Sequence, residues 1–419
     1  MPRNPHILVR LVRWPALILS LLLAFRVGAR ADFLEKAHDA LSLNDPQNRF
    51  HLQLSGLVDL EEYFIDRPAP ALIFADRTFL LNPRLTLFFD AQIGSKIYVF
   101  AQTRVDRGFD PTDDGAEIRL DEYFLRYSPA RSVNVQIGQF ATVVGNWVSR
   151  HDSWQNPFIN APLPYENLTG IWDSSAPDNA DDLLYWAHVG NYDNGDYSDK
   201  YLRLPIIWGP SYASGVSVSG SLGSFDYAAE MKNAALASRP ESWSITQVGF
   251  EHPTFNGRVG IRPNEMWNLG LSASAGPYLL SQAAPSLPGG RGIGDYRELV
   301  LAQDASFAWH HLQLWAELYE ARFEVPRIGN ADTFAYYLEA KYKITPQLFG
   351  ALRWNQQLFG TIRDEDHRAK WGNDIGRIDA ALGYRFTNYL QGKFQYSFSH
   401  QDSPQEGAHL VAAQLTLKF

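Results

Sequence analysis

Acidic clusters and one histidine pair are the residues of this chain whose types and spacing could do chemistry. The aspartates group at three places: Asp110, Asp113 and Asp114; Asp178, Asp181 and Asp182; Asp193 and Asp196. Their carboxylates could hold Ca²⁺, but the spacing of an EF-hand loop is absent, and solvated loop charges are the favoured interpretation. His310 and His311 are adjacent. Because adjacent strand residues point to opposite sides, we do not expect them to share a metal ion.

Sequence motifs for covalent chemistry are absent from the chain. It contains no G-x-S-x-G elbow, no Walker A motif, no H-E-x-x-H and no dinucleotide fingerprint. It has no cysteine, which fits an exported protein without disulfides and excludes thiolate metal sites, CxxCH haem attachment and cysteine catalysis. We therefore predict no cofactor, no metal site and no enzymatic activity.

The first 31 residues have the layout of a secretory signal peptide. Three arginines, Arg3, Arg10 and Arg13, precede an apolar run from Trp14 to Phe25, and Ala29-Arg30-Ala31 matches an A-x-A cleavage site. A membrane anchor is the alternative. Without residues 1–31, five of the 37 basic residues are lost, and 32 remain against 46 acidic ones, a net charge of −14. Such an acidic chain is not suited to nucleic acid.

Strand periodicity dominates the chain from residue 49 to 419. The clearest example is the last strand, where Val411, Ala413, Leu415, Leu417 and Phe419 alternate with a mostly polar face. Past residue 31 no run approaches the ~18 uninterrupted apolar residues that a spanning helix needs. Any membrane insertion must therefore use strands. Residues 32–48 could form a short helix, which we assign to a periplasmic N-terminal segment.

Short turns and longer loops alternate between the strands. Short turns are expected near 94, 128–131, 222–224, 263–265, 309–311, 345–347 and 387–389, and longer loops at 64–76, 109–116, 234–241, 278–295, 324–331, 360–374 and 401–407. This pattern predicts an all-β transmembrane antiparallel barrel. The count is about sixteen strands if 243–262 is one long strand with a bulge at His252-Pro253. Splitting that strand and adding 182–191 would give about eighteen.

One connection, residues 142–212, is far longer than usual loops, and such loops carry function or structure of their own. We expect this third loop to fold inward and constrict the lumen, because its stretch Asn156–Leu168 is apolar and rich in proline. An external cap or a subunit contact is the alternative. The residues predicted to form the constriction are Asn156, Pro157, Phe158, Tyr165 and Glu166.

Charged residues on the polar face of the strands should line the lumen, where side chains tune selectivity. The predicted pore-lining residues are Arg84, Asp90, Arg104, Glu317, Glu339, Lys341, Arg353, Arg377, Asp379, Arg385 and Lys393. Their mixed signs favour a transverse electric field between basic and acidic patches over a strong anion filter. Structural ion pairing across strands is an equally open interpretation.

Two stretches, VNVQIGQFATVVG (133–145) and NGRVGIRPNEMWNLGLSASAGPYL (256–279), resemble the phosphate-selective porin O and P family of Gram-negative outer membranes. The resemblance implies a sixteen-stranded, trimeric porin with an infolded third loop. Family members that concentrate phosphate have arginine ladders and lysine clusters along the pore. In this third loop only scattered residues such as Arg150, Lys200 and Arg203 are basic, so we do not carry phosphate selectivity over.

The sequence as a whole leads us to expect a porin that lets small hydrophilic solutes or ions diffuse passively across a bacterial outer membrane. Expected partners are outer-membrane lipid and lipopolysaccharide, the barrel-assembly machinery through the strand that ends at Phe419, and two further copies in a homotrimer. Alternatives are an outer-membrane barrel enzyme of the lipid-hydrolase type, a binding or sheath barrel without pore activity, and a secreted all-β polysaccharide binder.

Overall fold

Sixteen strands form one closed antiparallel barrel. A computed structural model describes residues 40–47, 49–65, 78–107, 116–189, 202–363, 368–402 and 407–419. Its strands are β1 (Ser42–Asn44), β2 (Phe50–Ile65), β3 (Phe79–Ile93), β4 (Ile97–Asp106), β5 (Glu117–Ala130), β6 (Val133–Phe140), β7 (Ala213–Leu222), β8 (Phe225–Lys232), β9 (Thr254–Ile261), β10 (Trp267–Pro277), β11 (Arg297–Trp309), β12 (Leu312–Val325), β13 (Gly329–Lys343), β14 (Leu348–Phe359), β15 (Thr361–Arg363), β16 (Arg368–Lys370), β17 (Ile375–Arg385), β18 (Leu390–Gln401) and β19 (Gly407–Lys418).

The ring runs from β2 through β14 and then β17 to β19, and β19 pairs with β2 to close it. Closure leaves no strand edge, which is the condition for strands to cross lipid, where no water satisfies the backbone. This confirms the predicted all-β barrel and its count of sixteen strands. Within the described ranges, no helix combines the length and the apolar character needed to cross a bilayer.

Alternation sorts side chains to the two faces of the barrel as expected. On the neighbouring strands β13, β14 and β17, the outward residues Leu338, Leu352 and Leu382 are 53%, 59% and 51% exposed. The inward residues between them, such as Arg353 and Asp379, are buried inside the barrel. The apolar face therefore meets the surroundings and the polar face meets the lumen.

Short turns lie at one end of the barrel, near the predicted positions. Gly94 and Gly223 occupy two of them with φ of +57° and +63°, a conformation that glycine adopts without a steric penalty. One connection at the opposite end differs from the prediction. A longer loop was expected at 324–331, but β12 ends at Val325 and β13 begins at Gly329.

Two segments that were considered as strands are not strands. Residues 243–262 do not form one long strand, because β9 begins only at Thr254. The Asn233 side chain donates to the carbonyls of Trp243 and Val248, 2.9 Å away in each case, and so keeps that part of the chain in a loop. The segment 182–191, whose promotion would have given eighteen strands, instead overlaps helix α1 (Ala180–Val189).

The barrel seam brings both ends of the described chain together. Gly56 in β2 and Phe419 exchange two backbone hydrogen bonds of 3.1 Å, and β1 pairs with β2 where β19 ends, so that Asn44 lies opposite His51. The helix expected within 32–48 is not present at Ser42–Asn44, which is strand. Residues 32–39 and residue 48 of that segment, and the predicted signal peptide 1–31, lie outside the described residues.

Candidate functional site

The segment between β6 and β7, here called the third loop (141–212, described except for 190–201), contacts the inner wall formed by β11 to β14, β17 and β18. Its Val144, Trp147 and Tyr165 pack in one buried apolar cluster with Tyr319 of β12 and Tyr337 of β13. Burying an apolar side chain of this size stabilises by roughly 1.5–3 kcal/mol. The loop is therefore held by an apolar core of its own, inside the barrel.

A lysine in β18 holds the loop by its backbone. The Lys393 ammonium donates to three loop carbonyls, those of Ser153 at 2.8 Å, Asn156 at 2.9 Å and Phe158 at 3.1 Å. An ammonium has three donors and no acceptor, so each donor has a loop partner. Lys393 is consequently occupied in positioning the loop.

Two arginines extend this attachment across β14 and β17. Arg353 donates from Nε to Asp379 at 2.8 Å and from Nη2 to the Asn160 side chain at 2.6 Å, and its guanidinium lies 4.2 Å from the centre of the Phe158 ring. Arg377 pairs with Glu166 of the loop and donates to the Ala161 carbonyl at 2.5 Å. Each guanidinium thus joins the wall to the loop.

A carboxylate in β12 holds the start of the loop. Glu317 accepts hydrogen bonds from the Trp147 backbone N–H and from the Tyr165 and Tyr319 hydroxyls, each 2.7 Å away. On the adjacent strand, Glu339 accepts from Arg150 of the loop at 2.5 Å. Both carboxylates are fully buried. Buried polar groups persist where they are hydrogen-bonded, as both carboxylates are, and Glu339 is in addition paired with a guanidinium.

The opposite wall, β2 to β5, touches the loop at Gln102, which donates to Tyr212, and near Ile159, and is otherwise separated from it by an open space. Arg84 of β3 pairs with Asp59 at 3.1 Å and Glu61 at 2.5 Å, and Arg104 of β4 pairs with Asp121 at 2.7 Å. The side chains of both arginines remain about one-fifth exposed. They are charged groups that a solute in this space can meet.

The space between that wall and the loop is a cavity of about 200 Å³. Its strand side includes Arg84, Arg104 and Asp106, and its loop side includes Trp147 and His151. Charges of both signs therefore border it, together with aromatic rings. Such a cavity suits the sieving and electrostatic selection of small polar solutes.

The predicted pore-lining residues divide between the two walls. Glu317, Glu339, Arg353, Arg377, Asp379 and Lys393 are buried in the attachment of the loop or next to it. Lys341 is also buried, with its ammonium 4.3 Å from the centre of the Phe349 ring. Arg84 and Arg104 border the cavity, and Asp90 accepts a hydrogen bond from Tyr98. Arg385 lies 5.4 Å from the centre of the Trp154 ring of the loop.

The five predicted constriction residues are all buried between loop and wall. Four of them, Asn156, Phe158, Tyr165 and Glu166, also border the cavity, and Pro157 does not. Their atoms therefore serve both the attachment of the loop and the shape of the cavity.

Several charged residues of the cavity were not predicted from the sequence. Arg119 of β5 pairs with Asp106 at 2.9 Å and also faces Asp121. The strand alternation hid both of these β5 residues, because the register of β4 against β5 shifts by one residue between Gln102 and Thr103. Asp59 and Glu61 of β2, the partners of Arg84, are likewise absent from the predicted pore-lining residues. A search for opposite charges on adjacent strands would have found them.

The acidic clusters that were considered for metal binding have structural roles where they are described. The Asn179 side chain accepts from the Asp182 N–H at 2.9 Å, and the Asp182 side chain accepts from the Asp178 N–H at 3.0 Å, which caps α1. Across the described ranges, no three acidic or histidine residues are grouped to hold a metal ion. The other two clusters lie outside these ranges.

Deeper in the third loop, Asp173 is fully buried and pairs with Arg239 at 3.2 Å. Burial raises the pKa of Asp173, and the nearby Arg239 guanidinium opposes that rise. This pair joins the third loop to the loop between β8 and β9.

Three solved structures show how general this architecture is. The outer membrane channel DcaP of Acinetobacter baumannii is similar with a TM-score of 0.56 at 11% identity, over 90% of this chain and 99% of that one. The anion-selective porin from Comamonas acidovorans gives 0.55 at 11% identity, over 88% and 100%. Salmonella typhi OmpF, in complex with daunomycin, gives 0.55 at 13% identity, over 90% and 100%.

Comparisons of the amino-acid sequence give no further relatives. No protein-family model matches the chain, and no curated protein matches it. At identities of 11–13% the structural likeness shows the fold alone. The chain therefore has the barrel fold that is seen in outer-membrane porins and channels.

Proposed function

We propose that this protein is an outer-membrane porin through which small hydrophilic solutes or ions diffuse passively. The observation that carries the proposal is the cavity between the third loop and β2 to β5, inside a closed barrel whose outer face is apolar. The loop would act as the constriction, and the partly exposed Arg84 and Arg104, with their acidic neighbours, would bias the passage of ions.

The remaining parts of the proposal rest on the sequence. The signal-peptide layout of residues 1–31 supports export, and the exposed apolar band supports insertion into outer-membrane lipid, with lipopolysaccharide around the barrel. The two resembling stretches support a relation to the phosphate-selective O and P family and a homotrimer. The strand that ends at Phe419 would be the segment that the barrel-assembly machinery binds.

Conductance in planar bilayers tests the function directly. We expect ohmic single-channel currents in KCl that are reduced by neutral polymers small enough to enter the lumen, and that recover when the added polymer is too large to pass the constriction. The same protein kept unfolded in denaturant is the matched control and should give no single-channel currents. A refolded barrel without current, or one that hydrolyses lipid instead, would overturn the proposal in favour of a sheath or an enzyme.

A further inference from the structure

Four aromatic rings lie side by side on three neighbouring strands. Phe88 of β3, Tyr98 and Phe100 of β4, and Phe124 of β5 are here called the aromatic strip. Ring centres are 6.3 Å apart for Phe88 and Phe100, 6.4 Å for Tyr98 and Phe100, and 5.4 Å for Phe100 and Phe124. The Arg126 guanidinium lies 5.1 Å from the centre of the Phe124 ring and 5.7 Å from that of Tyr98.

The strip is on the lumen side of the barrel. On β3, Phe89 faces outward and is 41% exposed, so its neighbour Phe88 faces inward. On β4, Phe100 shares its face with Gln102, whose side chain donates to the Tyr212 hydroxyl of the third loop at 3.2 Å. On β5, the outward residue next to Phe124 is Leu125, which is 44% exposed.

Rings in this place depart from the usual rule for such barrels, whose lumen faces are polar. Phe88, Tyr98 and Phe100 keep part of their surface exposed there, whereas the third-loop attachment on the other wall is buried. Apolar surface left in contact with water is unfavourable. Departures from local sequence rules concentrate at functional sites.

The strip also shares its wall with the two arginines of the cavity. Arg84 and Phe88 are on the same face of β3, as are Arg104 and Phe100 on β4, four residues apart in both cases. One inward residue, Thr86 on β3 and Gln102 on β4, separates each arginine from the strip in the direction of the short-turn end, and Tyr98 is near the turn at Gly94. The strip therefore lies on the same wall as the arginines, between them and the short-turn end of the barrel.

We propose that the aromatic strip is a binding subsite for solutes that carry a flat, apolar ring face. Such a face stacks on an aromatic ring, while the polar groups at its rim stay in the water of the lumen. The ring can be an aryl group or the apolar face of a pyranose. This proposal rests on the proposed porin function and adds the class of solute to it.

Solute-induced interruption of the ion current tests the subsite. The probes are benzoate and methyl glucoside, with hexanoate and sorbitol as their ring-free counterparts, added to the folded full-length protein in KCl. We expect saturable interruptions with at least one ring-containing probe and none with its counterpart. Interruptions by benzoate identify the preferred ring as an aryl group, and interruptions by methyl glucoside identify it as a pyranose. Equal responses to ring and ring-free probes would overturn the subsite.

Two variants of identical chemistry separate stacking from general disturbance. The double variant Phe88→Leu, Phe100→Leu keeps the strip apolar but removes two flat faces, and we expect the dissociation constant of the responding probe to rise about threefold to tenfold. Phe89→Leu, on the outer face of the same strand, should leave it unchanged. Unchanged binding in the double variant would overturn the inference.

The two proposals fail in different ways. Heat-modifiable gel migration shows whether each variant has folded into a barrel, and the current in KCl alone shows whether it conducts. A folded protein without current contradicts the porin function. A conducting protein that fails to discriminate ring-containing probes contradicts only the subsite.

Discussion

Basic side chains in this barrel serve two purposes that depend on the wall from which they project. Lys393, Arg353 and Arg377 are buried and donate to the third loop, whereas Arg84 and Arg104 are partly exposed at the cavity. Residue type alone does not distinguish them. Substitutions on the wall that holds the loop should therefore change the stability of the barrel. Substitutions on the wall that borders the cavity should change its ion selectivity.

The first prediction concerns the buried wall. Arg353→Met keeps the side-chain volume but leaves Asp379 and Glu339 with one cationic partner fewer, and removing one partner of a buried pair costs about 3–5 kcal/mol. The free energy of unfolding, from denaturant titration of the refolded barrel, measures this. Arg322→Met breaks an exposed pair with Asp332 and should cost about 0–1 kcal/mol. Equal losses in the two variants would contradict the buried role.

The second prediction concerns the open wall. Arg84→Ala removes a partly exposed positive charge and leaves Asp59 and Glu61 facing the cavity without it. We expect the zero-current potential in a KCl gradient to shift toward cation preference, because the local field becomes more negative. Arg322→Ala, on the outer face, is the control and should not shift it. A shift of the same size in both variants would count against this assignment.

At the scale of elements, the third loop is fixed to the barrel at its inner wall and also to the loop between β8 and β9, through Asp173 and Arg239. The raised pKa of Asp173 means that the folded state keeps its proton at pH values where the unfolded chain, which titrates near 3.8, has lost it. Stability from this group is therefore greatest below that value and falls as the pH rises above it.

The third prediction follows from that sign. Asp173→Asn cannot titrate, so the thermal midpoint of the wild type should decline relative to that of the variant as the pH rises above 3.8. Parallel thermal scans of the two proteins at each pH measure the difference. A difference that is constant, or that grows in favour of the wild type, would show that the carboxylate is not buried as described.

Elements were predictable from the sequence where one rule governs a whole segment. Alternation located nearly all the barrel strands, since an apolar outside and a polar inside impose period two on each. It failed at 243–253, where the Asn233 side chain caps a loop. It also left 182–191 open as a possible additional strand, although a cap formed by Asn179 starts helix α1 there. Hydrogen bonds between side chains and the backbone determine the local structure in both segments, and the periodicity of apolar residues does not reveal such bonds.

The candidate site was predictable only in part for a related reason. Inward charges on regular strands, such as Arg84 and Arg353, follow from alternation. Their division between loop attachment and cavity depends on where a seventy-residue connection packs, and that requires contacts far apart in sequence, such as Lys393 with Ser153. The strip rings were missed because alternation was used to separate apolar from polar faces, and Phe88 and Phe100 place apolar groups on the polar face.

At the scale of the whole molecule, the outer surface should behave as a lipid-facing surface. The fourth prediction is that Leu352→Arg, a change at an outward residue that is 59% exposed near the middle of β14, destabilises the barrel in bilayers by about 2–4 kcal/mol. Reversible folding into lipid vesicles measures it. Leu43→Arg in β1, also exposed but beyond the end of β19, is the control and should cost far less.

The pairing of β2 with β19 places more than three hundred residues between the two strands that complete the ring. Contacts of such sequence separation form late and slowly, since a long segment must first be ordered. Until they form, both strands expose unpaired amide groups that hydrocarbon cannot solvate. The leading portion of the chain cannot close a ring by itself, so we expect no stable membrane-inserted intermediate until β19 is available to pair with β2.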